Sequence, residues 1–470
     1  MTSWACFRFV VGAIEIDSVG PTARLPRASS GSSGGSSWRH SKMTLPIVKS
    51  EMAQRIKPAS ISRLMRIALE HPGVISLAAG FVDQASLPVA MVGRAVDELL
   101  GDPLDGPRAL QYGTTIGDAG FRERLADQME REGGLPAGGV AGTAGRTIVT
   151  TGSAQLIYLL CEAILDPGDI VLVESPTYFV FLGPVESRGA RAIGVPVDEG
   201  GLNLDALEQT LRTLERGGEL GRVKLIYTIP EHSNPTGLCL AGERRPRLLE
   251  IARRWSRRQR ILILEDAAYR GLSFGGLEPP TIFSQDDEGD WVIHARTFSK
   301  TLSPGIKLGY GVLPHELVEP IAGLKANHDF GTANFNQLVI DRILASGDYD
   351  RHVTGLRSIY KRKRDRFLSA LDEFVGPLDP EIRWTIPEGG LFVWMTLPPG
   401  VDAGFEGPLF GRCVQEGVIY VPGEFAFADE PGPRPRNHLR LTYGLPGENN
   451  LVEGARRLGQ ALCGCLDPVA

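Results

Sequence analysis

RTIVTTGSAQLIYLLCEAILDPGDIVLVES, residues 146–175, decides the fold class. A short β-branched run, Thr147–Thr150, ends at Thr151-Gly152. SAQLIYLLCEAIL follows with helix-like apolar spacing, Asp166-Pro167-Gly168 breaks it, and IVLV opens a second apolar run. A continuous apolar run bounded by turn residues reads as a strand buried on both faces. Strand, helix and strand in succession make one unit of a parallel sheet.

The same alternation continues outward from this unit. RAIGVPV (191–197), VKLIYTI (223–229), RILILED (260–266), WVIHART (291–297) and LGYGVLP (308–314) are five further strand candidates. The seven predict an α/β large domain, 101–335, with a mostly parallel seven-stranded sheet between helices. The flanks, 46–100 and 336–470, predict a smaller α+β domain from both chain ends. There RHVTGLRSIYKRKRDRFLSALDEF (351–374) has helical spacing, while EIRWTIPEGGLFVWMTLP (381–398) and HLRLTYG (438–444) have strand character.

Composition narrows the class without naming a function. The chain has 470 residues, 42% apolar and 23% charged, with a formal net charge of -6. These values suit a globular protein and give no electrostatic reason to expect nucleic acid. The basic clusters RRWSRRQR (253–260) and YKRKRDR (360–366) read as solvated helix faces. No apolar run approaches the ~20 residues that cross a bilayer. Six cysteines, at 6, 161, 239, 413, 463 and 465, show no paired metal spacing and fit a reducing, cytoplasmic setting. Residues 1–45 read as a flexible tail because 28–42 are Gly/Ser-rich. Organelle targeting fits the tail only in part, and Met43 is an alternative start.

Candidate chemistry sits just past the strand ends, where ligands bind in such sheets. Ser153, Ala154 and Gln155 open a helix whose free N–H groups favour an anion. Tyr178, in ESPTYFVF, offers a ring that could stack on a planar cofactor. EHSNPTG (231–237) places the Asn234 amide after a buried strand. ILILEDAAYRGL (261–272) ends its strand on Asp266, with Tyr269 three residues on. A buried carboxylate there calls for a cationic partner, such as a protonated pyridine nitrogen. TFSKTLSPGIKLGY (297–310) supplies Thr297, Ser299, Lys300 and Lys307. A lysine desolvated in a cleft can attack a carbonyl.

In this order the motifs resemble the class I/II pyridoxal-phosphate-dependent aminotransferases, the fold-type-I group, over about residues 52–465. KPASISRLMRIALEHPGVISLAAG (57–80), ALQYGTTIG (109–117) and PEGGLFVWMTLP (387–398) are most similar to the aminoadipate/kynurenine and branched-chain or aromatic members. The resemblance implies pyridoxal 5'-phosphate (PLP) as cofactor and Lys300 as its Schiff-base lysine. Asp266 would face the pyridine nitrogen, Tyr269 and Asn234 the phenolic oxygen, and Tyr178 the ring. Ser153, Ala154, Gln155, Thr297, Ser299 and Lys307 would gather at the phosphate. Tyr112 would reach it from the other subunit of a homodimer that shares its active sites. Arg440, with Asn234 and Gly80, would bind the substrate, Arg440 as a fork for its α-carboxylate.

The implied reaction moves an amino group from an α-amino acid to a 2-oxo acid such as 2-oxoglutarate. PLP-dependent elimination or synthesis on the same fold is an alternative. So is a sensor body of a transcriptional regulator, although the Gly/Ser-rich tail cannot build a winged helix. Lys307 departs from the arginine usual at its position. Arg63 and Arg66 are candidates for a distal substrate carboxylate, and Glu231 and His232 are expected near the cleft.

Overall fold

The computed structural model describes residues 47–57, 60–71, 73–135, 139–276, 278–428 and 432–466. The tail expected over 1–45 lies outside them. Residues from Lys49 onward pack as one compact unit. Its strands are Ile75–Ser76 (β1), Thr147–Thr150 (β2), Ile170–Ser175 (β3), Arg191–Asp198 (β4), Gly201–Leu202 (β5), Val223–Thr228 (β6), Leu262–Asp266 (β7), Val292–Thr297 (β8), Gly309–Val312 (β9), Arg383–Trp384 (β10), Phe392–Thr396 (β11), Val418–Ile419 (β12), Val421–Pro422 (β13) and His438–Thr442 (β14).

The main sheet runs β2-β9-β8-β7-β6-β3-β4-β5. All seven expected strands are in it, and β5 adds a two-residue antiparallel edge against β4. From β8 across to β4 the neighbours are parallel, and only β9 inserts antiparallel, between β2 and β8. Successive side chains alternate between two cores. Val171, Val173, Leu225 and Tyr227 face one, and Ile170, Leu172, Ile226 and Ile263 face the other. A sheet covered on both sides leaves its carboxyl edge as the open place for a ligand.

A second sheet, β10-β11-β14-β13, is antiparallel. β1 pairs in parallel with β12, so a segment before the main sheet joins one after it. The helix Asp348–Phe374 packs on the terminal helix Glu448–Cys463. Among the described residues no helix is long and apolar enough to cross a membrane.

Candidate active site

β2 ends at Thr150, and Gly152 turns the chain into the helix Gly152–Ile164 with φ +72°. A side chain would strain that turn. Gly309 approaches closely from β9: a Cβ there would lie 2.8 Å from the Ser153 backbone nitrogen. The two glycines leave the helix N-terminus open beside Thr297, Ser299 and Lys307, all of which line one cavity of about 500 Å3.

Asp266, at the end of β7, forms the cavity's most demanding feature. It is 3% exposed. Its Oδ2 accepts from the Tyr227 hydroxyl at 2.9 Å, and Oδ1 has no hydrogen-bond partner. Burial pushes its pKa up to about 6 even though that hydrogen bond opposes the rise. An orphaned buried carboxylate oxygen facing a cavity suits a cationic N–H donor.

Lys300 Nζ donates to the Gly80 carbonyl at 2.8 Å. Burial, with Arg440 and Lys307 nearby, lowers its pKa to about 8, so a neutral, nucleophilic amine is within reach near neutrality. Arg440, on β14, donates to Asn234 Oδ1 at 2.9 Å and to the Ala78 carbonyl at 2.7 Å. Its guanidinium lies over the Phe392 ring at 4.5 Å, and burial lowers its pKa to about 10. Asn234 Nδ2 donates to the Tyr269 hydroxyl at 3.4 Å. Burial also pushes the Tyr178 phenol up to about 12 and Tyr269 further, so both stay protonated donors.

Twelve sequence candidates therefore line one space: Gly80, Ser153, Ala154, Tyr178, Asn234, Asp266, Tyr269, Thr297, Ser299, Lys300, Lys307 and Arg440. Gln155 turns away, bonding the Thr151 N–H at 2.8 Å and Asp329 at 2.7 Å. Tyr112 is 83% exposed, packed edge-on to Phe330 and outside this chain's cavity.

The other expectations change. Arg63 pairs with Glu406 at 2.8 Å and lies over the Phe405 ring, while Arg66 is exposed, so neither lines the cavity. Glu231 is buried between Arg245 and Arg270, and His232 turns away with it. Sequence reading missed Tyr227, the partner of Asp266. A phenol inside an otherwise apolar strand was the available signal.

The sequence model of the family described as aminotransferase class I and II matches residues 72–458. The chain belongs to that family. It is a PLP-dependent aminotransferase whose substrates are amino acids and 2-oxo acids. An aromatic-amino-acid aminotransferase of Thermococcus litoralis is 35% identical over 88% of this chain and 93% of its own length. A 2-aminoadipate transaminase of Thermus thermophilus is 34% identical over 88% and 96%. The crystal structure of a Pyrococcus horikoshii kynurenine aminotransferase, in complex with PMP, superposes with a TM-score of 0.81 at 32% identity, covering 89% and 98%.

The residues present fit PLP. Asp266 Oδ1 awaits a cationic donor, and Tyr269 and Asn234 offer donors to a ring oxygen. The glycine-opened helix N-terminus and Lys307 offer N–H groups and a cation to a phosphate.

Proposed function

We propose that this aminotransferase takes α-amino acids with aromatic or branched apolar side chains and passes their amino group to a 2-oxo acid, 2-oxoglutarate by expectation. The carrying observation is the apolar part of the cavity lining, which includes Leu64, Ala68, Leu69, Phe81, Val180 and Leu445. Among the described residues the cavity's lining cations are Lys300, Lys307 and Arg440. With those three given to the cofactor and the α-carboxylate, a distal carboxylate on the donor would meet apolar lining with no cationic partner among the described residues.

In this reading Arg440 holds the substrate α-carboxylate, with Asn234 keeping the guanidinium in place. Asp266 and Tyr227 hold the pyridine nitrogen side, and the 152–154 N–H groups, Ser299 and Lys307 hold the phosphate. When bound, PLP supplies a protonated ring that accepts electron density from the substrate's Cα–H bond. Lys300 Nζ takes that proton and returns it, which its lowered pKa suits.

The working unit in this proposal is a cytoplasmic homodimer in which Tyr112 completes the partner's phosphate site. The high exposure of Tyr112, Leu104, Leu110 and Phe330 supports a subunit contact there. A smaller domain from 46–100 and 336–470, beside a large one over 101–335, is supported by the β1/β12 pairing.

A donor screen against 2-oxoglutarate tests the substrate class. Phenylalanine and leucine should exceed 2-aminoadipate in kcat/KM by about tenfold or more. A preference for 2-aminoadipate overturns the class. Ammonia release from amino acid alone, without conversion to the pyridoxamine form, overturns transamination.

A further inference from the structure

Outside the cavity, at the base of the turn that carries Asn234, three side chains form a second cluster. His232 Nδ1 lies 3.3 Å from Cys239 Sγ. The His232 backbone N–H donates to the same sulfur at 3.3 Å. Across the ring, His232 Nε2 stands 3.8 Å from Glu278 Oε1 and has no hydrogen-bond partner. Glu278 is itself fixed by the Gly271 and Ser273 N–H groups, at 2.9 and 3.3 Å. The ring cannot swing, because Gly389 packs so closely that a Cβ there would lie 2.3 Å from Nε2.

A thiol, a base within hydrogen-bond reach, and a third group behind the base make a nucleophile-activating arrangement. A buried cysteine is more usually an inert small hydrophobe. Cys161 and Cys413 fit that description, whereas Cys239 is half-buried and has two nitrogen contacts on its sulfur. The nearby guanidiniums of Arg245 and Arg270 are paired to Glu231, at 2.8 and 3.0 Å. Burial opposes charging of His232, yet Cys239 and Glu278 together raise its pKa to about 9. The ring can therefore hold a proton taken from the thiol.

We propose that Cys239 is a modification site, a nucleophilic thiol that His232 and Glu278 prime for small electrophiles, hydroperoxides above all. The thiol proton passes to His232 Nδ1 as sulfur attacks the distal peroxide oxygen. The S–O bond forms and the O–O bond breaks. The leaving alkoxide or hydroxide takes the proton from His232, giving a sulfenic acid and an alcohol or water. The thiol is oxidised by two electrons and the peroxide is reduced by two.

The consequence reaches the active site through the turn itself. Ser233 N–H donates to the Leu238 carbonyl at 2.8 Å and Gly237 N–H to the Ser233 carbonyl at 2.6 Å. Between them stands Asn234, which touches Arg440 and Tyr269. An oxygen added at Sγ crowds the fixed His232 ring and strains this turn, so oxidation should lower turnover reversibly.

The test is iodoacetamide labelling of the holoenzyme near pH 6.5, read by peptide mass, with exposed Cys463 as internal standard. Cys239 should react about tenfold faster than Cys463, and H232N, whose asparagine tolerates the φ of +48° there, should abolish the advantage. E278Q should reduce it, which guards against a misfolded H232N. C239A should keep normal turnover and lose sensitivity to hydrogen peroxide. Labelling of Cys239 no faster than Cys463, an advantage unchanged in both H232N and E278Q, or undiminished peroxide sensitivity in C239A overturns the proposal. None of these readouts depends on which amino acid is the donor.

Discussion

Glu265 and Asp266 are consecutive residues of β7, both buried, and the pleat sends them to opposite faces of the sheet. Glu265 is fully served. It accepts from the Ile282 and Phe283 N–H groups at 2.7 and 3.1 Å, and His294 Nδ1 lies 2.8 Å away. Burial pushes its pKa up, but His294 and Arg245 bring it below the usual carboxylate value. Asp266 has one side-chain donor, Tyr227, help from the Ala268 N–H, and one oxygen without a well-formed hydrogen bond, and burial raises its pKa. Each side of the strand buries a charge. Only one side supplies everything that charge needs, and the other side is left for a ligand to complete.

The largest effects should separate these two faces. On the open side, Lys300→Ala should lower kcat about ten-thousand-fold, and Asp266→Asn about a hundredfold or more, with neither lowering the unfolding midpoint of the cofactor-free chain. A Lys300→Ala protein that still linked covalently to the cofactor would remove Lys300 from its assigned role. On the closed side, Glu265→Gln should destabilise the fold by about 3 kcal/mol while the cofactor's absorbance in the surviving folded protein stays unchanged. If Glu265→Gln altered the absorbance and Asp266→Asn did not, the distinction between the faces would collapse.

pH sharpens the same contrast. The folded-state pKa of Asp266, about 6, lies above its unfolded value. The folded, cofactor-free chain therefore holds this proton more tightly than the unfolded chain. The contribution to stability falls as pH rises from the unfolded value through about 6, by up to about 3 kcal/mol. Urea unfolding of cofactor-free wild type against Asp266→Asn, between pH 4 and 7, should show the two nearly equal at pH 4 and the variant gaining stability over wild type as pH rises. PLP, a cation at its ring nitrogen, should bind more tightly over the same interval as Asp266 ionises. A flat difference would mean that Asp266 is already served.

How much of this was legible depends on whether the signal is local. Asp266, Asn234 and Lys300 could be read because each follows an apolar strand, and strand ends converge at one edge of a parallel sheet. Tyr227 showed only as a phenol inside an apolar strand, and its partner was not legible, since nothing local pairs a residue on β6 with one on β7; register across strands is a tertiary fact. Gln155 failed because Asp329 and Lys325, about 170 positions away, compete for its amide. Arg63 and Arg66 failed because helical spacing does not say which face meets the cavity. The β5 edge was missed because two residues carry no pattern.

Lys363 gives a smaller, longer-range effect. On the helix Asp348–Phe374 it is 2% exposed and donates to Asp83 at 2.8 Å and to the Gly444 carbonyl at 2.5 Å. Asp83 closes the segment 78–83, whose Ala78 and Gly80 carbonyls meet Arg440 and Lys300. Lys363→Met should therefore raise KM for the amino donor about tenfold and spare kcat, with partial rescue in Lys363→Arg. Equal losses in both constants would make the pair merely structural.

The smallest effect belongs to Lys307. It sits in the left-handed region at φ +54° and lines the cavity with Thr297 and Ser299. An ammonium neutralises a phosphate as a point charge, whereas a guanidinium adds a planar two-point grip. Both residues bear the same backbone strain at this position, so exchanging them isolates the head group. Lys307→Arg should slow cofactor loss on dilution by about threefold, a gain below 1 kcal/mol that suits one added hydrogen bond. Turnover at saturating cofactor should not change. An unchanged release rate would mean that the 152–154 N–H groups and Ser299 already hold the phosphate fully, putting this corner of the cavity with Glu265 among the completed sites.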